Sequence, residues 1–220
     1  MSTDDLDMLN PRPETLYDFM LLSANFAAEK HKNQRRKNKN KTPYINHPLK
    51  VAQYISEAGV QDVEIWIGAI LHDTVEDTDA TLEEIESLFG DRVRNLVDEV
   101  SDDKSLSKAT RKRLQISHAA DISYGAKIIK MADKLHNLSS FLDSPPEGWD
   151  ARRIQGYFVW SKAVMENCKG INDYLQGKLD FLFDQAVFSL DGTEYPCVPT
   201  DVNLEEVLEE YLVSMDKVTD

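Results

Sequence analysis

The sequence predicts an all-α fold, and three observations carry the prediction. Apolar residues recur at three- and four-residue steps in segment after segment, the spacing of one helix face. No sustained alternation of period two, the mark of a half-buried strand, appears through the first hundred residues. Capping residues precede the periodic segments and glycine or a polar turn follows them, which is the order helix starts and stops require. At 220 residues with 41% apolar content, the chain is long enough for one substantial core, and one domain is expected.

Residues 1–13, acidic and ending Asn10-Pro11-Arg12-Pro13, read as a loose lead-in. From Glu14 the pattern turns helical, with Leu16, Phe19, Met20 and Phe26-Ala27-Ala28 on one side, running toward His31. In the loop that follows, Lys32, Arg35, Arg36, Lys37, Lys39 and Lys41 fall within ten residues that hold no acid. On a chain of net charge −14, a positive island suits a small anionic ligand better than a polymer, because long-range repulsion opposes nucleic acid and anionic membrane alike. The plainer reading of such a run is a solvated loop.

Pro43 and Pro48 disfavour helix just upstream, and Pro48 can open one, so His47 sits in a rigid segment immediately before a helix start. That helix, Pro48 to Ala58, turns Leu49, Val51, Ala52 and Ile55 inward and stops at Gly59. Asp62 can cap the next, whose run Val63, Ile65, Trp66, Ile67, Ala69, Ile70 and Leu71 implies burial on most sides. It then places His72, Asp73, Glu76 and Asp77 within six residues. On a continuous helix these form two i,i+4 pairs that crowd one face. Buried carboxylates so close repel one another, so either a cation is held there or the helix end is fully solvated, and of the two the cation is expected.

Thr81-Leu82-Glu83-Glu84 is a capping box for a helix with Leu82, Ile85, Leu88 and Phe89, ended by Gly90. Val93, Leu96, Val97 and Val100 mark another, leading into the polar loop Ser101-Asp102-Asp103-Lys104. Gly125 to Leu142 is an apolar helix interrupted by Asp133, Lys134, His136 and Asn137, with Asp133 and Asn137 sharing a face. His136 is placed on a different side from the metal face, and His31 and His118 read as surface or supporting residues. After the turn Pro145-Pro146-Glu147-Gly148, Arg152 to Phe183 reads as one long or broken helix with Gly170 the interruption. From Asp184 the chain carries ten acids against the single base Lys217, and Asn203 to Val213 is amphipathic. The organisation expected is therefore a lead-in at 1–13, a domain at 14–183, and an acidic extension at 184–220 that docks a short helix on its own domain or on another chain.

Cys168 and Cys197 match no zinc spacing and read as reduced thiols with a packing role. No apolar segment approaches the ~20 residues needed to span a bilayer, and the acidic start is unlike a leader, so a cytosolic protein is expected. His47, His72, Asp73 and Asp133 would form a mixed nitrogen and oxygen shell suited to manganese, iron or zinc rather than calcium.

The series His47-Pro48, Leu71-His72-Asp73-Thr74-Val75-Glu76-Asp77-Thr78 and Lys130-Met131-Ala132-Asp133-Lys134-Leu135-His136-Asn137-Leu138 resembles the HD-domain hydrolases of the RelA/SpoT class. With Gln34-Arg35-Arg36-Lys37 and Pro43-Tyr44-Ile45-Asn46 it is similar in particular to the stand-alone metazoan SpoT homologues, over about Tyr17 to Leu182. The resemblance implies an HD-domain helical bundle, one manganese ion, and hydrolysis of guanosine 3′,5′-bis(diphosphate) to GDP and pyrophosphate by a metal-activated water. It implies His47, His72, Asp73 and Asp133 as metal ligands and Glu76 with Asp77 as the pair handling the water. Substrate contacts fall to Arg36, Lys37, Lys108, Lys134, Asn137, Arg153 and Tyr157. NADPH, through its 2′-phosphate, is an alternative substrate, and a non-catalytic nucleotide-sensing module is the alternative of different class. The partner expected in every case is a small nucleotide, with no nucleic acid polymer and no membrane.

Overall fold

The computed structural model describes residues 15–216, so the expected lead-in lies outside the described residues. In chain order the elements are α1 (Leu16–Lys30), α2 (Asn46–Glu57), α3 (Val63–Leu71), α4 (Thr74–Asp77), α5 (Leu82–Phe89), α6 (Asp91–Val100), α7 (Lys108–His118), α8 (Tyr124–Asp143), α9 (Ala151–Glu166) and α10 (Asp173–Asp184). A hairpin of β1 (Val187–Leu190) and β2 (Thr193–Pro196) and a last helix, α11 (Leu204–Met215), complete it. The fold is thus mostly helical, as the periodicity predicts, with a small two-stranded addition.

Helix α3 is apolar all round because it serves two cores. Ile65 and Ala69 join the larger cluster built on α8, α9 and α10, while Ile67, Ile70 and Leu71 join a second with Ala27, Ile85, Phe89, Val93 and Val97. Helix α8 is the axis of the larger one and packs against α2, α3, α6, α9 and α10. The start signals act as read: the Asp62 side chain accepts from Glu64 N, and Thr81 forms a reciprocal capping box with Glu84.

The structure corrects two expectations and decides between two readings of a third segment. The helix carrying His72 and Asp73 is not continuous: α3 ends at Leu71 and α4 starts at Thr74. His72 Nδ1 donates to Ala69 O at 2.7 Å and Thr74 Oγ1 donates to Leu71 O at 2.6 Å. Both side chains engage carbonyls that a continuous helix would offer to backbone N–H groups four residues on, and the helix breaks. The segment Arg152 to Phe183 takes the broken form of its two readings, as two helices, and Gly170, with φ +76°, takes the left-handed turn between them. The acidic extension contains a hairpin that no alternation had marked, and β1 pairs Phe188 with Tyr195. Phe188, Cys197, Tyr211, Leu212 and Met215 all lie in the larger core, so the helix of the extension docks on its own domain.

Candidate metal centre and substrate pocket

Three parts of the chain converge on one point. His47 is held near the start of α2 by a loop whose backbone is pinned: Arg36 N donates to Thr42 O, Tyr44 N to Gln34 O, and His47 N to Tyr44 O. His72 and Asp73 lie at the break between α3 and α4, and both side chains reach the same point. Helix α8 supplies Asp133.

The four side chains meet closely. His47 Nε2 lies 3.2 Å from Asp133 Oδ1 and 3.4 Å from Asp73 Oδ2, and His72 Nε2 lies 3.1 Å from Asp73 Oδ2 and 3.8 Å from Asp133 Oδ1. Ligand atoms at ~2.1 Å from a shared ion sit about 3 Å apart when at right angles. The ligand atoms of His47, His72 and Asp133 all fall within 4.8 Å of one another. His72 is buried, its Nδ1 proton is committed to Ala69 O, and its Nε2 has no hydrogen-bond partner of adequate geometry. That buried, unpaired nitrogen facing two carboxylates is the tautomer a divalent cation requires, so the residues fit a metal.

The carboxylates are held ionised. Burial works against the charge on Asp73, but His72 and His47 outweigh it; for Asp133, Lys134 and His47 do the same, and both carboxyls stay well below the usual range. Tyr44 Oη donates to Asp73 Oδ2 at 2.6 Å, Asn137 Nδ2 to Asp133 Oδ1 at 2.6 Å, and Lys134 Nζ to Asp133 Oδ2 at 2.9 Å. His136 corrects its expected placement. Three residues on from Asp133, it adjoins that face of α8, and its Nδ1 is 2.6 Å from His47 Nδ1 with the rings stacked at 4.9 Å. His31 is buried, bonded to Gln34 and packed on Tyr44 at 4.8 Å, while His118 is exposed.

Glu76 stands one turn beyond His72. Its Oε2 accepts from Asp102 N at 3.1 Å and its Oε1 lies 3.4 Å from Arg111. Burial first, then repulsion from Asp102, push its carboxyl up to about 7. Asp77 is held by Lys104 at 2.8 Å and Gln34 at 3.3 Å.

Two cavities open from the centre, of about 580 and 560 Å³, each within the range of small-molecule sites. The first has a basic wall, with Lys108, Arg111, Lys112, Lys134 and Arg153 beside Tyr157 and Trp160, facing the carboxylates of the centre and of Glu76, Asp77 and Asp102. The second is lined by Arg36, Tyr54, His136, Asn137, Phe141 and Trp149. Lys37, Tyr44, His47, Asn137 and Tyr157 belong to both. Every residue singled out as a candidate contact therefore lines one cavity or the other. Arg36 donates to Asn137 Oδ1 at 2.7 Å, and Lys134 is buried with its ammonium 4.7 Å from the Trp160 ring centre. The basic loop is a folded turn with Arg36 half-buried and Lys32, Arg35 and Lys39 exposed, so only part of the positive island serves the site. Sequence reasoning missed Arg111 and Lys112, because α7 is too polar on most of its turns to show an apolar stripe; Asp102 stood inside a polar loop and Tyr44 inside a quoted motif, both without a role.

A helical domain with a His/Asp centre at the break between two helices defines a class, and the HD domain family profile matches residues 23–161. The chain is 55% identical to guanosine-3′,5′-bis(diphosphate) 3′-pyrophosphohydrolase MESH1 of Xenopus tropicalis, over 76% of this chain and 95% of that protein. It is 51% identical to the protein of that name from Homo sapiens, over 76% and 93%. A solved structure, of a metazoan ortholog of SpoT that hydrolyzes ppGpp and plays a role in starvation responses, superposes with a TM-score of 0.75 at 49% identity, covering 76% of this chain and 94% of the other. The chain belongs to the HD-domain family and, within it, to the RelA/SpoT-type hydrolases alongside the animal MESH1 proteins. No helix among the described residues is long and apolar enough to cross a membrane.

His72 contributes to stability with a pH dependence of defined direction. In the metal-free chain burial opposes the charge on His72, while Asp73 and Asp133 outweigh it and raise the ring from 6.5 to about 9. At this ring the folded state then binds more protons than the unfolded between those values, so its contribution falls as pH rises through that window. Lys112, lowered from 10.5 to about 7 by burial and by Lys134, contributes the opposite slope above pH 7, and His136, lowered to about 3 by burial and by His47, does so below pH 6.5. A metal needs neutral imidazole, so its affinity grows as the proton leaves. The difference in melting temperature between chelated parent and chelated His72→Gln, from which the shared Lys112 slope cancels, should fall from pH 6.5 to 9, and saturating manganese should flatten or reverse that fall. A metal-free difference that is level or rising across the window contradicts this.

Proposed function

We propose that this chain hydrolyses guanosine 3′,5′-bis(diphosphate) to GDP and pyrophosphate, with His47, His72, Asp73 and Asp133 holding one divalent ion, manganese in the first instance. The observation that carries the reading is the position of the His/Asp cluster, at the junction of a cavity with a basic wall and one lined by aromatic, amide and arginine groups. A substrate with a phosphate chain at one end and a base at the other suits that junction. When bound, the ion lowers the pKa of water and withdraws electron density from a phosphoryl oxygen.

The chain's own residues do the rest. Glu76 takes a proton from the attacking water, a role matched by a carboxyl that titrates close to neutrality. Asp77, anchored by Lys104 and Gln34, orders that water with it. The new bond joins the water oxygen to the phosphorus on the ribose 3′ oxygen, the bond to that oxygen breaks, and the oxygen leaves with a proton. Lys37, Lys108 and Lys134 balance charge on the phosphoryl oxygens. Arg36, cross-braced to Asn137, faces the base with the Tyr44 ring behind it at 5.7 Å. Arg153 and Tyr157 hold the remaining phosphates. A cytosolic setting belongs to the same proposal and accords with two buried free thiols, Cys168 and Cys197.

Purified protein supplied with manganese and this nucleotide should release one pyrophosphate and one GDP per substrate, and NADPH in parallel measures the 2′-phosphatase alternative. Tight binding with no product from either compound would overturn the enzymatic reading in favour of a sensing module.

A further inference from the structure

The last helix, α11, lies outside residues 23–161 matched by the family profile, yet it reaches the candidate site. Tyr211 and Met215 line the same cavity as His72, Asp73 and Asp133. Tyr211 is 4% exposed and its hydroxyl has no hydrogen-bond partner. Arg153 beside it is a donor in the same condition, its Nε buried and unpartnered. The Lys112 ammonium stands on the same wall, 3.5, 5.3 and 5.8 Å from the ring centres of Trp160, Tyr157 and Tyr211. Two unpaired donors beside an ammonium on one cavity wall are an arrangement for an anion with several oxygens.

The placement of α11 is built into the chain. Glycine in mid-helix is unfavourable relative to alanine, yet α9 carries Gly156. A Cβ there would lie 2.7 to 2.9 Å from Tyr211 ring and Cβ atoms, so the glycine is what lets that ring lie against α9. At the other end Asp216 caps α7, accepting from Ala109 N at 3.0 Å and from Ser107 Oγ at 3.2 Å. Arg113 pairs with Glu209 at 2.8 Å, and Arg152 with Glu210. Leu212 and Met215 are buried beneath. The helix is fixed along its second half and at its C-terminal end.

We propose that α11 is a wall of the substrate pocket and that the Tyr211 hydroxyl donates a hydrogen bond to the diphosphate that is not cleaved, beside Lys112 and Arg153. The acidic extension is then part of the binding machinery, and it sets affinity for a second phosphate group. The identity of the nucleotide rests on the function proposed above; the phosphate contact does not depend on turnover.

The test is equilibrium binding of GDP and of guanosine, by calorimetry, to the full chain and to Tyr211→Phe, which removes one oxygen and keeps the ring. GDP should bind the variant about tenfold or more weakly, the size of a lost hydrogen bond to a charged group, and guanosine equally well. The melting temperature without ligand should not drop, because the hydroxyl has no partner to lose. GDP affinity within twofold of the parent, no GDP binding to the parent, or equal weakening for both ligands would overturn the inference. If the GDP contrast appears while the parent hydrolyses nothing, the functional reading falls and this one stands.

Discussion

Asp133→Asn should abolish turnover, by about a thousandfold or more, and leave the protein unable to retain its metal. Asp133 Oδ1 faces both His47 and His72, so the substitution takes a negative charge from the centre of the proposed shell. A cation held by two imidazoles and one remaining carboxylate loses much of its electrostatic hold, and a chemical step that needs several kcal/mol from the ion loses a factor of ten for about each 1.4 kcal/mol. The cost extends to folding. Lys134 is buried and its charge is supported chiefly by Asp133, and breaking a buried pair from one side costs ~3–5 kcal/mol. Metal content by elemental analysis, kcat and melting temperature should therefore fall together. A variant that keeps one ion per chain and full turnover would remove Asp133 from the ligand set.

Glu76→Gln should act differently, lowering kcat by about 10²–10⁴ while leaving metal content and substrate affinity close to the parent's. Glutamine keeps a carbonyl oxygen for the Asp102 N–H and keeps the volume, but it cannot take a proton. The same residue fixes the pH dependence. A base works when ionised, so activity should rise with pH through the Glu76 titration; that lies at about 7 without metal, and the field of a bound cation draws it lower. Asp102 is the nearest charge raising it, so Asp102→Asn should move the acid limb of kcat/KM to still lower pH. In Glu76→Gln the limb should vanish. Persistence of an unchanged limb in that variant would assign the proton to another group.

What the chain discloses before folding follows from how local each cause is. Caps and stops were legible because they act within four residues: Asp62, Thr81 with Glu84, and Asn203 each accept from the backbone as their positions imply. The side chains that meet at the centre were legible as residue types, since two histidines and two aspartates in apolar surroundings need a shared partner. The break between α3 and α4 was not, because it depends on His72 and Thr74 turning back onto carbonyls of their own helix, which periodicity cannot register. Lys112 and Arg111 escaped notice because α7 buries little, only Ala109 fully. The part played by α11 turns on Gly156 meeting Tyr211 across 55 positions of chain, and only the packed structure brings the two together.

On the function proposed above, one divalent ion shared by His47, His72, Asp73 and Asp133 lets two carboxylates persist in a buried helical core. A crystal of the protein grown with manganese and measured at the metal's absorption edge tests this. A single strong anomalous peak per chain is expected, within ~2.0–2.3 Å of His47 Nε2, His72 Nε2 and an oxygen of each aspartate. A peak elsewhere, or no peak while those four side chains keep their present positions, would contradict it.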